Sequence, residues 1–306
     1  MRKATLGNAA FALLMLNCIA FGASAAEPKG PADCESLRSA LKAMLETEYA
    51  FGQKAQASVA GAFLEYLAED SWVLNPAPAP GRPIYQGAKE SKNTLEWYPT
   101  VGDVAPSGDL GFTAGPWVYT NADSGKKAYG HFLTIWKRDA ACQWHAEFDG
   151  GISHAMPQVD EAKLLPDQAP VSATEHPPAN LVAHDAAGHA ASDFQDTARR
   201  DGIAAALRTY GRDGDFVFFT DEQLPIDGAA AASQYLSDHP LKGVWKEVAR
   251  GRSADASLMY SVGELTDSGQ RSTHAYVQIW QYAPKVANWG LRVLLINPLP
   301  APKAKS

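Results

Sequence analysis

The chain has 306 residues, 46% of them hydrophobic and 20% charged, with 25 glycines and 20 prolines, a composition that excludes low-complexity and disordered classes. Its length predicts two domains, each large enough to bury a core of its own. Lys and Arg number 27 against 34 Asp and Glu, a net charge of −7 with a pI near 5.6, which argues against a nucleic-acid partner or a broad anionic-lipid surface.

The first segment carries Arg2 and Lys3, an apolar stretch from Ala9 to Phe21, and Ala23-Ser24-Ala25 ahead of Glu27-Pro28. The apolar stretch is too short to span a bilayer and ends in small residues, which predicts a secretory signal peptide over 1–25 with cleavage after Ala25. Its removal takes away two cations and no carboxylate, so the exported chain is more acidic still. No later stretch has the length of a membrane span, and the expected location is the periplasm or the outside of the cell. Export leaves Cys34 and Cys142 in an oxidising compartment. They read either as one disulfide closing a loop of about 100 residues or as two buried thiols. Neither belongs to a zinc-type cluster, and no metal or cofactor is expected.

From Ser36 the residues Leu37, Leu41, Met44, Leu45 and Tyr49 form one helical face, and Val59, Ala62, Phe63, Tyr66 and Leu67 form a second. A strand is predicted over 72–74. The prolines at 76, 78, 80 and 83 predict irregular chain, and a short helix is predicted over 88–95. Extended segments follow over 97–104, 109–119, 127–138 and 143–151, separated by turn signals. Residues 156–190 read as a Pro/Ala-rich linker. The same order then recurs: a helix over 192–210, a strand over 216–219, a helix over 228–236, and strands over 244–252, 257–265, 271–282 and 289–296. Phe112, Thr113 and Gly115 match Tyr260, Ser261 and Gly263, and Ile135-Trp136 matches Ile279-Trp280, while Trp144 matches Trp289. The chain is an internal repeat, with domains expected at 34–155 and 191–300.

Within the first repeat, Glu48-Tyr49-Ala50-Phe51, Trp97-Tyr98-Pro99, Ser107-Gly108-Asp109-Leu110-Gly111, Gly115-Pro116-Trp117, Gly130-His131-Phe132, Trp136-Lys137-Arg138 and Gly151-Ile152-Ser153-His154 occur in an order that resembles an exported group of the SnoaL-like, nuclear-transport-factor-2-like superfamily. The second repeat resembles it in outline only. The resemblance implies an α+β fold of two tandem cones, each a curved antiparallel sheet wrapped around helices, packed as an intramolecular pseudo-dimer. It does not imply an activity, because the superfamily includes ketosteroid isomerases, dehydratases, epoxide hydrolases, polyketide cyclases and non-catalytic binders.

Alternation on the last strand of the first repeat places Gln143, His145, Glu147 and Asp149 on one polar face. If that face lines the cone, it supplies ingredients for general acid/base chemistry. The resemblance singles out Asp149 as a pocket carboxylate. His131 reads either as a core-edge histidine or as a pocket acid or base, and Glu48 lies on the apolar stripe, where a carboxylate needs a partner. Trp97, Trp117 and Tyr119 are candidates for an aromatic lining. The positions matching Asp149, His145 and His131 in the second repeat are Leu294, Gly290 and Ala275, so one site at most is expected, in the first domain.

Three functions remain open at this point. One is a binding or accessory protein for a small apolar or amphipathic ligand. Another is a cofactor-independent lyase or isomerase with Asp149 as base, Glu48 raising its pKa, and His131 or Tyr119 stabilising an oxyanion. The third is a structural pseudo-dimer with a filled core.

Overall fold

The computed structural model describes residues 36–300, apart from 90, 171–174, 184 and 213. The expected signal peptide and Cys34 lie outside the described residues; Cys142 is disulfide-bonded. Serine caps start the first two helices. Ser36 accepts from the Ser39 N–H ahead of α1 (Leu37–Ala55), and Ser58 accepts from the Gly61 N–H at 3.0 Å ahead of α2 (Val59–Tyr66). The buried stripe of α1 runs through Ala40, Leu41, Met44, Leu45, Glu48, Phe51 and Gly52, so one carboxylate is carried into an otherwise apolar face.

The first sheet holds β1 (Leu67–Leu74), β2 (Pro78–Pro80), β3 (Thr94–Trp97), β4 (Val101–Val104), β5 (Leu110–Thr120), β6 (Lys127–Arg138) and β7 (Trp144–His154). Its order is β2-β1-β7-β6-β5-β3, with β4 also on β5, and β1 runs parallel to β7. The proline-rich stretch is not irregular as its composition predicts. Pro78–Pro80 pair with β1, and a short helix α3 (Gly81–Gln86) follows where none is expected, while the described residues of 88–95 form no helix. Pro83 is tolerated because it stands in the first turn, where backbone N–H groups have no helical acceptor to lose.

After α4 (Ala179–Ala183), the second domain repeats the plan with α5 (Ala186–Asp201), α6 (Ile203–Tyr210), β8 (Val217–Phe219), β9 (Ile226–Asp227), α7 (Ala229–Asp238), β10 (Val244–Arg252), β11 (Leu258–Thr266), β12 (Ser272–Ala283) and β13 (Asn288–Pro298). The single helix predicted over 192–210 is two, broken at Gly202, whose φ of 93° a helix interior does not accommodate. The second sheet runs β10-β11-β12-β13-β8-β9, strand for strand the order of the first, and β8 is again parallel to β13. The matched glycines share one physical cause. A Cβ on Gly115 would lie 2.1 Å from the Tyr98 carbonyl oxygen, and one on Gly263 would lie 2.2 Å from that of Lys246. In the first copy the link between β3 and β4 crosses closely over this point, and in the second β10 does.

Each sheet has a concave face on its own helices and a convex face on the other domain. The convex faces make one shared core, in which Phe112, Leu133, Ile135 and Phe148 meet Val277, Ile279, Val293 and Leu295. Polar bonds border it: Gln281 Nε2 donates to Asp103 Oδ2 at 2.9 Å, and Asn297 Nδ2 donates to the Gly151 carbonyl at 2.7 Å. Replacing the fully buried Val277 with Asp sets an unpaired carboxylate in this core and is expected to cost more than about 3 kcal/mol. Urea unfolding followed by tryptophan fluorescence checks this, with Val286→Asp on the surface as the control expected to stay within about 0.5 kcal/mol.

Candidate functional site

Inside the first cone, a row of polar side chains crosses the concave face. Thr113 on β5 pairs with Thr134 on β6, and Thr134 pairs with Asp149 on β7. Glu48 reaches this row from α1. Its carboxylate accepts from Trp97 Nε1 at 2.6 Å, from Thr113 Oγ1 at 2.5 Å and from Trp136 Nε1 at 3.1 Å. Burial pushes the Glu48 carboxyl upward, and these donors pull it back. With both oxygens bonded, Glu48 is an anchor that ties α1 to the sheet.

Asp149 is differently placed. Its Oδ2 accepts one bond, from Thr134 Oγ1 at 2.8 Å, and the residue keeps part of its surface accessible although its carboxyl is set deep in the cone. Burial raises its pKa from 3.8 to about 8, against the Thr134 bond and with a further push from the negative Glu48. The phenol of Tyr85 is raised by burial and by the charge of Asp149, which marks the two as neighbours. Tyr85 stacks on Phe63 at 4.1 Å between centroids, Phe63 and Trp97 lie 6.4 Å apart, and Trp97 and Phe132 lie 6.4 Å apart. Phe132 is two residues from Thr134, on the same face. These contacts make a run of aromatic groups inside the cone, with Tyr85 at the end that senses Asp149.

The polar face predicted on β7 does not exist as a unit. Trp136 pairs with Ala146 and Ile135 with Phe148, so Glu147 is an extra residue, a β-bulge. Before the bulge, Trp144 and Ala146 join the cone core; after it, Phe148 joins the core between the domains and Asp149 turns inward. His145 and Glu147 are therefore separated from Asp149. They line a groove of ≈ 540 Å³ with Arg82, Lys137 and Arg138, where Glu147 accepts from the Tyr260 hydroxyl at 2.7 Å and His145 Nε2 lies 3.2 Å from Asp139 Oδ2.

His131 is likewise not beside Asp149. It stands three residues from Thr134 on β6 and lies on the convex side, its ring 6.4 Å from that of Phe219 in the second domain. Of the aromatic candidates, Trp97 belongs to the cone. The ring of Trp117 lies over Gly130, and the Tyr119 hydroxyl accepts from Asn93 Nδ2 at 2.5 Å. Tyr119 pairs with Ala128, six residues along β6 from the partner of Asp149, a separation of about 20 Å along the strand. Neither His131 nor Tyr119 can serve a reaction at Asp149. Tyr85 is the phenol that senses the charge of Asp149, and sequence reasoning passed over it inside the proline-rich stretch, where Pro83 falls in the first turn of α3.

Among the described residues the second cone has no counterpart of this carboxylate. Leu294 occupies the Asp149 position, and Arg292 is the matching bulge residue. Ala191 precedes Phe194 by three residues, as Glu48 precedes Phe51, and the Trp280 indole is served from the sheet instead, donating to Gln278 Oε1 at 3.2 Å. Among the described residues no grouping of His, Cys, Asp and Glu has the arrangement of a metal site, and no helix is long and apolar enough to cross a membrane.

No protein-family model matches the sequence, and no curated protein matches it. Solved structures similar to part of the chain include an NTF2-like protein with a cystatin-like fold from Novosphingobium aromaticivorans, 20% identical, covering 37% of this chain and 80% of that one, with a TM-score of 0.31. A ketosteroid isomerase-like protein from Erwinia carotovora atroseptica is 15% identical and covers 38% of this chain and 97% of its own, also at 0.31. An NTF2-like protein of unknown function from Pseudomonas putida is 12% identical over 43% of this chain and 97% of that one, at 0.33. Each covers about the share of one domain, and the chain is similar to NTF2-like, cystatin-like and ketosteroid isomerase-like proteins over that share.

Proposed function

We propose that this is an exported small-molecule-binding protein whose first domain takes an amphipathic ligand at the mouth of the cone. The ligand's apolar body packs on Phe63, Tyr85, Trp97 and Phe132, and a carbonyl or similar acceptor meets Asp149. The observation that carries this reading is the Asp149 carboxyl, set deep in the cone on a residue that keeps part of its surface accessible, raised to about 8 and therefore a hydrogen-bond donor at neutral pH. Native mass spectrometry of the protein purified from its own source tests it. A bound small molecule is expected in the wild type and is lost in Asp149→Ala. A ligand-free protein whose Asp149 carboxyl titrates near 4 by NMR overturns the reading. Edman sequencing of the mature protein tests export, with Ala26 as the expected first residue.

A second reading is favoured by the nearness of Tyr85 to Asp149. In it, ionised Asp149 removes a proton α to a carbonyl while the Tyr85 hydroxyl donates to the developing enolate oxygen. It predicts deuterium exchange into a bound ketone that rises with pH through about 8 and is absent in Asp149→Asn.

A further inference from the structure

The largest cavity described lies outside the cone, in a cleft of ≈ 1080 Å³ between the convex face of the first sheet and the β8–β9 edge of the second domain. Its floor includes Ala114, Val217 and Phe219, and its roof is the strap from Ala155 to Ala162. The buried His131 clasps both ends of that strap. Its Nε2 lies 2.5 Å from Glu161 Oε1, and its Nδ1 lies 2.7 Å from Nε2 of His154, whose own Nδ1 is 2.6 Å from the Ala155 carbonyl. Thr100 Oγ1 donates to the other Glu161 oxygen at 3.1 Å. A carbonyl only accepts, so His154 Nδ1 donates to it, and ionised Glu161 accepts from His131 Nε2. Glu161 is held below the usual carboxylate range by its bond to His131. The strap is a fixed wall, not a loose loop.

Two further features describe what this wall encloses. Met156 is 68% exposed, Val159 77% and Leu224 49%; all three line the cleft, an unusual concentration of large apolar side chains open to water. The remaining charged lining is Glu222 and Asp227, and among the described residues no lysine or arginine lines it. Glu222 makes no ion pair among the described residues, and its backbone is held at the cleft by its N–H donating to the Ser153 carbonyl at 2.7 Å.

We propose that this interdomain cleft is a second ligand site, distinct from the cone, for an amphipathic organic cation whose apolar body lies against Met156, Val159 and Leu224 and whose ammonium-type head meets Glu222. Anionic amphiphiles are excluded by the same carboxylates. The test is isothermal titration of the mature protein at pH 7 with decyltrimethylammonium, decyl maltoside and decyl sulfate, each below its micelle concentration. The cation is expected to bind about fivefold or more tightly than the neutral compound, and the sulfate least. Glu222→Gln weakens the preference for the cation, with Asp227 still lining the cleft. Ala231→Trp, at an exposed position on α7 that lines the cleft, weakens binding of the cation by about tenfold or more by filling the site. Asp149→Asn leaves it unchanged, which separates this site from the one in the cone. Sulfate binding as tight as the cation, or a cation affinity indifferent to both Glu222→Gln and Ala231→Trp, overturns the proposal. His131→Phe adds a readout at the strap, where faster hydrogen exchange over 156–160 is expected together with weaker binding; unchanged exchange there rejects the clasp.

Discussion

Replacing Glu48 with alanine is expected to destabilise the first domain by about 3–5 kcal/mol, the largest effect of any single polar substitution in the cone. The deletion leaves the half-buried Trp97 indole N–H and the fully buried Thr113 hydroxyl without their acceptor, and it opens a void between α1 and the sheet. Trp136 loses less, because its Nε1 also donates to Thr113 Oγ1 at 2.9 Å. Glu48→Gln keeps the volume, but both carboxylate oxygens face donors, so its amide nitrogen must meet one of them; an intermediate loss is expected. Urea unfolding gives the order wild type, Gln, Ala, and loss of near-ultraviolet circular dichroism from Trp97 and Trp136 reports the loosened core. An alanine variant as stable as the wild type would show that the three bonds contribute nothing net.

The second large effect is a pH dependence at Asp149. Its carboxyl has a pKa of about 8 in the folded protein against an ordinary value of 3.8, so the folded state holds this proton more tightly than the unfolded chain does. Below pH 3.8 the group is neutral in both states, and its contribution to stability is fully present. As pH rises from there the unfolded chain ionises while the folded one does not, and stability is lost steadily until the folded carboxyl also ionises near pH 8. Each pH unit in that interval corresponds to about 1.4 kcal/mol at most, so the total loss is several kcal/mol. Asp149→Asn removes the titration and keeps an acceptor for Thr134. Its thermal midpoint is expected to exceed that of the wild type at pH 9 and to approach it at pH 4. Parallel pH profiles for the two proteins would sink this account. In Glu48→Gln the like charge is gone, and the Asp149 midpoint should move down.

Much of the fold is legible along the chain. The stripe on α1 and the extents of β5, β6 and β7 follow, to within a few residues, from periodicity and turn chemistry, because those signals act over a few neighbouring residues. The repeat is also legible, since the same packing imposes Gly115 and Gly263, or Trp136 and Trp280, at matched places; the replacement of Asp149 by Leu294 in the second copy follows from that register. What the chain could not disclose is which side of the sheet each polar residue faces. Both faces are buried, the concave one by helices and the convex one by the other domain, so polarity does not distinguish inside from outside. The bulge at Glu147 is decided by pairing with β6, a different segment of the chain, and one inserted residue reverses every side chain after it. It is this reversal that carries Asp149 into the cone and leaves His145 and Glu147 behind. His131 meets His154 and Glu161 only because β7 and the strap are folded against it across 23 and 30 residues of sequence, a distance over which local periodicity holds no information.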